Sequence, residues 1–412
     1  MASGASPARR VAHKVLMRVF EEDAYADRAF ASEAGALDPR DRAFAQRIAY
    51  GAIQMARLLD HAIERLGGRP VTAMDPPVRN ALRLAAYELA FLDGVPPRAS
   101  VNEGVELVKA SRARRAAGFA NAVLRRVAEG IRELIGGLPE STPQEAALRH
   151  SYPDWVAETW WREWGPEDAL ALMKAQNEPP ETAVRVVGTG EARVVDRIDP
   201  QELAERKVWP QSRASQLAGA ALGARPGERV LDLCAAPGGK TTQLAEVADE
   251  VVAVELHPGR ARELEKNVRR LGFDNVRVVN ADARELPEDL TGFDRVLVDA
   301  PCSGLGVLAG RPDLRWRAKP LPELQRELLR VAAERVKPGG TITYSVCTIA
   351  KAENEDVVDA VISDQAKRVA VDPSLAETWP EYEHPRRSGV LLTLPHRHRT
   401  SGFFIARLVR TA

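Results

Sequence analysis

Cys302 in DAPCSGLG and Cys347 in YSVCTIAKAENEDVV are the residues of this 412-residue chain best placed for covalent chemistry. Each closes an apolar run of strand type and opens a polar turn, a setting unlike that of a cysteine buried as packing. A thiolate so placed can add to an electron-poor ring carbon and turn the neighbouring carbon into a nucleophile. A thiol with its usual pKa of ~8.5 is only slightly ionised at neutral pH, so positive potential must lie nearby. Lys240, at the start of a helix, is the candidate source. The third cysteine, Cys234 in LDLCAAPGGKTTQL, reads as a packing residue that lends its backbone to a turn. None of the three lies in a CxxC pair, so they are individual thiols of a reducing compartment.

A second set of residues suits a nucleoside-bearing ligand. The strand RVLDL leads into a turn made by Ala236, Pro237, Gly238 and Gly239, where glycines let a backbone approach a ligand closely. The pattern is not GxGxxG, which weakens a nicotinamide reading. Glu255 ends the next strand, where a carboxylate can accept hydrogen bonds from two ribose hydroxyls. Asp282 follows the third strand and can accept an adenine amino group; Asp299 ends the fourth and can line a cationic centre or meet a ring nitrogen. One acid after each of three successive strands is hard to explain as structure alone, because unpaired carboxylates at one sheet edge repel.

These residues must be positioned by a sheet. After Pro226 the runs RVLDL, EVVAVEL, VRVVN, RVLVDAP and TITYSVC alternate with helical segments, the pattern of a doubly wound parallel sheet in an α/β domain. Residues 389–394 and 403–410 suggest a closing antiparallel pair. Residues 7–140 are patterned as helices throughout, with Ser100 and Glu103 offering a capping box. Three domains follow: an all-α bundle over 1–140, a helical linker with a small α/β subdomain over 141–215, and an α/β domain over 216–412. Trp155, Trp160, Trp161 and Trp164 of the linker read as packing anchors.

Charge is balanced overall, with 58 Lys and Arg against 58 Asp and Glu, yet Lys109, Arg112, Arg114, Arg115, Arg125 and Arg126 form a stretch without acids. Such a stretch either binds phosphate or solvates a helix face. No run of 18 apolar residues appears and no signal-type segment follows Met1, so a soluble cytoplasmic protein is expected, with no membrane contact. His396 and His398 lack companions for a tetrahedral metal site, so no metal is expected.

The segment around Tyr87, Glu88, Val101, Asn102, Glu103, Lys109, Phe119, Asn121, Leu124 and Arg125 resembles the helical NusB family of RNA-binding proteins over the first third of the chain. The acid-and-glycine pattern resembles the Rossmann-like class I S-adenosyl-L-methionine methyltransferases. On that resemblance the backbone of Cys234, Ala235, Ala236, Pro237, Gly238, Gly239 and Lys240 surrounds the cofactor, with Glu255 at the ribose, Asp282 at the adenine and Asp299 near the sulfonium. The two cysteine motifs resemble the RNA 5-methylcytosine methyltransferases. The family relation makes Cys347 the nucleophile at carbon 6 and Cys302 the residue of product release; spacing alone does not say which thiol attacks.

Together, the NusB-like front and this catalytic domain resemble the bacterial 16S ribosomal RNA cytosine methyltransferases of the RsmB/Sun type. The partner implied is 16S ribosomal RNA or a small-subunit assembly intermediate, met by a monomer, with the basic stretch and the Arg185 region holding RNA. Transfer RNA is an alternative substrate, and a non-catalytic assembly factor an alternative role. A methylase of exocyclic amines is disfavoured, because Asp299, Ala300, Pro301 and Cys302 stand where such enzymes carry an Asn/Asp-Pro-Pro-Tyr motif. Ser401 before Gly402, Phe403 and Phe404, and Ser212 and Arg213 in QSRASQ, depart from the family pattern, which commonly has acids there.

Overall fold

The computed structural model describes residues 4–364 and 368–411. The chain divides into two compact units, Met1–Asn177 with Leu308–Arg317, and Glu178–Val307 with Ala318–Ala412.

The first unit is helical: α1 (Pro7–Glu21), α2 (Ala26–Glu33), α3 (Pro39–Gln54), α4 (Ala56–Gly67), α5 (Pro76–Phe91), α6 (Pro97–Lys109), α7 (Ala117–Gly136), α8 (Pro143–Arg149) and α9 (Asp154–Ala175). Their apolar stripes, such as Val15, Leu16 and Val19 of α1 and Leu82, Ala85, Ala86 and Leu89 of α5, meet in one core. Packing is close enough to dictate small residues: a Cβ on Gly51 would fall 2.0 Å from the Tyr87 ring. Glu88, 1% exposed, is held by both Nε and Nη2 of Arg9 at 2.8 Å and by Ser100 Oγ at 2.8 Å.

Ser100 therefore does not cap a helix with Glu103. α6 starts earlier, with Pro97 at its first turn, where the missing N–H costs nothing. A capping box does form at α8, between Thr142 and Glu145. Of the four tryptophans on α9, Trp160 is fully buried against Tyr152 and Trp155 is 37% exposed, so the anchoring role falls on Trp160.

The second unit opens with a small antiparallel sheet, β1 (Ala183–Val186), β2 (Ala192–Val194) and β3 (Val208–Pro210), in the order β2-β1-β3. The main sheet comprises β4 (Arg229–Asp232), β5 (Glu250–Glu255), β6 (Val276–Asn280), β7 (Phe293–Asp299), β8 (Val336–Val346), β9 (Val369–Val371), β10 (Leu391–Thr393) and β11 (Phe403–Arg410). Its order is β10-β11-β8-β7-β4-β5-β6, with β9 also on β11. β4 to β8 are parallel, and β11 runs antiparallel between β8 and β10. The inner parallel strands are buried on both faces, with Val230, Val251, Val252, Val296 and Leu297 at 0% exposure, whereas the edge strand β6 is only partly covered.

Candidate active site

Order along the sheet reverses at β4: the chain moves outward through β5 and β6 on one side, then returns to β7 and β8 on the other. Ligands of open α/β sheets bind at such a reversal, beyond the carboxyl ends of the strands. The turn after β4 lies there. Gly238 has φ +110°, in the left-handed region, and a Cβ on it would meet Leu264 Cδ1 at 2.8 Å; one on Gly239 would meet Trp209 Nε1 at 2.9 Å. Only glycine fits this backbone path.

The acids at this edge are not left unpaired. Asp299 at the end of β7 accepts from Lys240 Nζ at 2.7 Å and from Ser345 Oγ at 2.8 Å. Glu255 accepts from the His257 amide at 2.9 Å and faces Arg260 at 3.6 Å. Arg260 also donates to the Ala236 carbonyl at 2.7 Å, linking the turn to β5. Asp282 is gripped by Arg284, through its amide at 2.9 Å and Nη2 at 2.7 Å, which holds the carboxyl below the usual carboxylate range. A fourth acid, Asp232 at the end of β4, accepts from Thr241 Oγ1 at 2.7 Å. Burial, opposed by the Thr241 bond and reinforced by the charge of Asp299, pushes Asp232 up to about 6.

Across the reversal, the thiols of Cys302 and Cys347 approach to 3.3 Å. Lys240, besides pairing with Asp299, lies over the Phe403 ring at 5.1 Å. Cys347 is pulled below the ordinary thiol range, chiefly by the hydrogen bond from Cys302; burial opposes this, as do Asp299 and Glu353, while Lys240 assists. Cys302 is driven well above it, first by that same bond and then by burial. Either sulfur can be the donor in this bond, so ionising one thiol leaves the other to stabilise the thiolate. Cys234 is also raised, by burial and by Asp232, Asp299 and Glu255.

Structure and sequence part company at several residues. Arg185, expected among RNA contacts, is fully buried, with Nη2 on Thr242 Oγ1 at 2.8 Å and Nη1 on Glu246. It ties the small sheet to the helix Gly239–Ala245. Ser212, one of the departures from the family pattern, caps the helix Arg213–Ala220, and Arg213 pairs with Glu181 at 2.8 Å. His398 accepts the Leu394 amide at 2.8 Å, a turn-closing role; among the described residues no His/Cys/Asp/Glu group is arranged to hold a metal ion.

In the helical unit the NusB-like residues differ in burial, with Tyr87, Glu103 and Phe119 half-buried. Glu88, Val101 and Leu124 are buried, whereas Asn102, Lys109, Asn121 and Arg125 are exposed, as are Arg112, Arg114, Arg115 and Arg126. Two site residues escaped sequence reading: Asp232, inside the apolar run LDL, and Glu353, inside the acidic run AENED. A buried acid among buried neighbours carries no periodic signal of its own.

Residues 219–409 match the family described as 16S rRNA methyltransferase RsmB/F, and residues 6–129 match the NusB family. A probable ribosomal RNA small subunit methyltransferase B of Synechocystis sp. is 32% identical, over 97% of this chain and 99% of its own. The chain belongs to the RsmB/F family. The ribosomal RNA small subunit methyltransferase B of Thermus thermophilus is 37% identical over 79% of each chain. The crystal structure of PH0851 matches with a TM-score of 0.81 and 25% identity, over 99% of this chain and 100% of that one. As an RsmB/F member with a NusB domain in front, the chain is an S-adenosyl-L-methionine-dependent RNA methyltransferase. No helix among the described residues is long and apolar enough to cross a membrane.

The residues at the reversal suit that cofactor. A glycine cradle admits a flat ligand against the backbone, and the carboxylates Glu255 and Asp282 are acceptors for hydroxyl and amino groups. Arg284 donates to Asp282 through its amide, Nε and Nη2, and since an ionised carboxylate offers about four lone pairs, one remains for a further donor. Asp282→Ala is expected to weaken cofactor binding about tenfold in calorimetry, the worth of one charge-assisted hydrogen bond. Unchanged affinity would remove Asp282 from the site.

Proposed function

We propose that this RsmB/F member methylates carbon 5 of a cytosine in 16S ribosomal RNA, with Cys347 as covalent nucleophile and Cys302 as the release residue. The observation that carries the reading is the thiol pair at 3.3 Å; the resemblance of the two cysteine motifs to the RNA 5-methylcytosine methyltransferases makes Cys347 the attacking member. The 16S substrate rests on the family relation and on relatives described as small subunit methyltransferases.

Carbon 5 of cytosine is a weak nucleophile until a group adds at carbon 6. In this reading the Cys347 thiolate forms the C6–S bond as the ring's C5=C6 electron pair moves to carbon 5. Glu255, Asp282 and the backbone of residues 234–240 hold S-adenosyl-L-methionine, which supplies an electrophilic methyl group when bound. Lys240 helps to keep Cys347 ionised and restrains Asp299 beside it. A base then takes the carbon 5 proton, the C5–H electron pair re-forms the C5=C6 bond and the C6–S pair returns to sulfur, with Cys302 assisting the elimination that frees Cys347. The exposed arginines of the helical unit supply salt-dependent affinity for RNA phosphates. A paired target cytosine must first leave its stack, at a cost of about a few kcal/mol, so an open or partly assembled RNA is the favoured form.

Bisulfite sequencing of total RNA from cells with and without the protein tests this directly. One protected cytosine in 16S RNA should disappear on deletion and return with the intact gene. Loss of protection in transfer RNA alone would replace the substrate, and no change at any cytosine would refute carbon 5 chemistry.

A further inference from the structure

Glu353 is 0% exposed and has no part in the chemistry above. Its carboxylate collects four donors: the Ser303 amide at 3.0 Å, the Ser303 hydroxyl, the Leu321 amide at 3.0 Å and Gln325 Nε2 at 2.9 Å. A buried carboxylate costs several kcal/mol of desolvation unless its lone pairs are filled, and these four fill them. Ser303 is the residue after Cys302, and Gln325 also donates to the carbonyl of Pro301, the residue before it, at 2.9 Å. The donors thus surround the loop that carries Cys302.

Glu353 itself belongs to the segment that leaves Cys347. Its backbone carbonyl is fixed by Tyr344 Oη of β8 at 2.6 Å, and Thr348 Oγ1 meets Ser303 Oγ at 2.9 Å. Cys347 follows the last residue of β8, which the ladder to β11 holds in register. The Cys302 loop, by contrast, follows the end of β7, beyond its ladder with β8. Main-chain bonds anchor its two ends, from the Ala300 amide to the Ser345 carbonyl at 2.9 Å and from the Gly306 amide to the Cys347 carbonyl at 3.0 Å, so the stretch between them that carries Cys302 is held by side chains.

We propose that Glu353 is a positioning residue that clamps the Pro301–Cys302–Ser303 loop against the Cys347 segment and so sets the spacing of the two thiols. The inference rests on the reading in which Cys347 attacks and Cys302 releases. Glu353→Gln keeps the shape but offers one acceptor oxygen where two served four donors, and turns an NH2 toward them. Misplacement by about 1 Å can cost ~100-fold in rate, so release in E353Q should slow by that order and leave a protein–RNA adduct on a denaturing gel.

Two readouts separate clamping from mere folding. The first is capture of the thiol pair by phenylarsine oxide in the presence of excess monothiol, followed by intact mass. The wild type should retain one arsenical, Cys302→Ser should retain none, and E353Q should lose retention while still melting cooperatively. The second is the pH dependence of adduct formation. Cys347 is faced by Cys302, Asp299, Lys240 and Glu353. Losing the bond from Cys302 moves the acid limb to higher pH; losing only the Glu353 charge moves it lower.

Retention like the wild type in folded E353Q, or an acid limb shifted down, overturns the proposal. Should E353Q not fold, Ser303→Ala removes one of the four donors and decides the matter, with weakened retention supporting the clamp and unchanged retention refuting it. If the wild type forms no adduct at all, the covalent reading has failed, and arsenical retention still judges the clamp.

Discussion

Cys347→Ser is expected to abolish methyl transfer, by at least about 10⁴-fold, together with the covalent adduct, because removing the nucleophile of a covalent mechanism removes its whole pathway. A serine hydroxyl is not ionised at neutral pH, and the bond from Cys302 that favours a thiolate cannot compensate. Labelled methyl incorporation into ribosomal RNA measures the first effect and a denaturing gel the second. In the wild type, adduct formation should rise with pH and level off below the range of an ordinary thiol. The sign follows from Cys347, whose reactive form appears on deprotonation and whose pKa is lowered. Persistent adduct in Cys347→Ser would assign the attack to Cys302.

Cys302→Ser is expected to do the opposite to the adduct. Serine keeps a hydroxyl able to donate to Cys347, so addition should proceed, while elimination loses the thiol that assists it. Adduct should accumulate to about one per active site, with turnover reduced by ~10²-fold or more, the usual range for losing an acid–base group. Stoichiometric adduct on a denaturing gel, released slowly on a chase with unlabelled RNA, is the signature. Turnover like the wild type with no adduct would leave Cys302 as a bystander.

The catalytic sheet was legible because its residues are periodic. β4 to β8 coincide with the five apolar runs, and Glu255, Asp282 and Asp299 stand out as the acids that follow them. The glycine turn was legible for the same local reason. What sequence did not convey is pairing across the chain. Ser100 with Glu103 has the spacing of a capping box, yet Ser100 serves Glu88 twelve residues earlier. Arg185 looks like a free cation until β1 packs it against the helix Gly239–Ala245. Glu353 sits in a run of charge with no local sign of burial, and its carboxylate is satisfied only by Ser303, Leu321 and Gln325. In each case a partner distant in sequence decides the role, and no local pattern encodes it.

One backbone crossing ties the reactive loop to the last strand. The Gly402 amide donates to the Gly306 carbonyl at 2.8 Å, the Gly306 amide donates to the Cys347 carbonyl at 3.0 Å, and a Cβ on Gly306 would lie 2.0 Å from the Gly402 oxygen. Three segments, carrying Cys302, Cys347 and β11, are thus joined through main chain as well as through the Glu353 side chain. During synthesis this crossing cannot close until Gly402 has emerged, so the last strand to leave the ribosome is also the last piece of the frame around the two thiols.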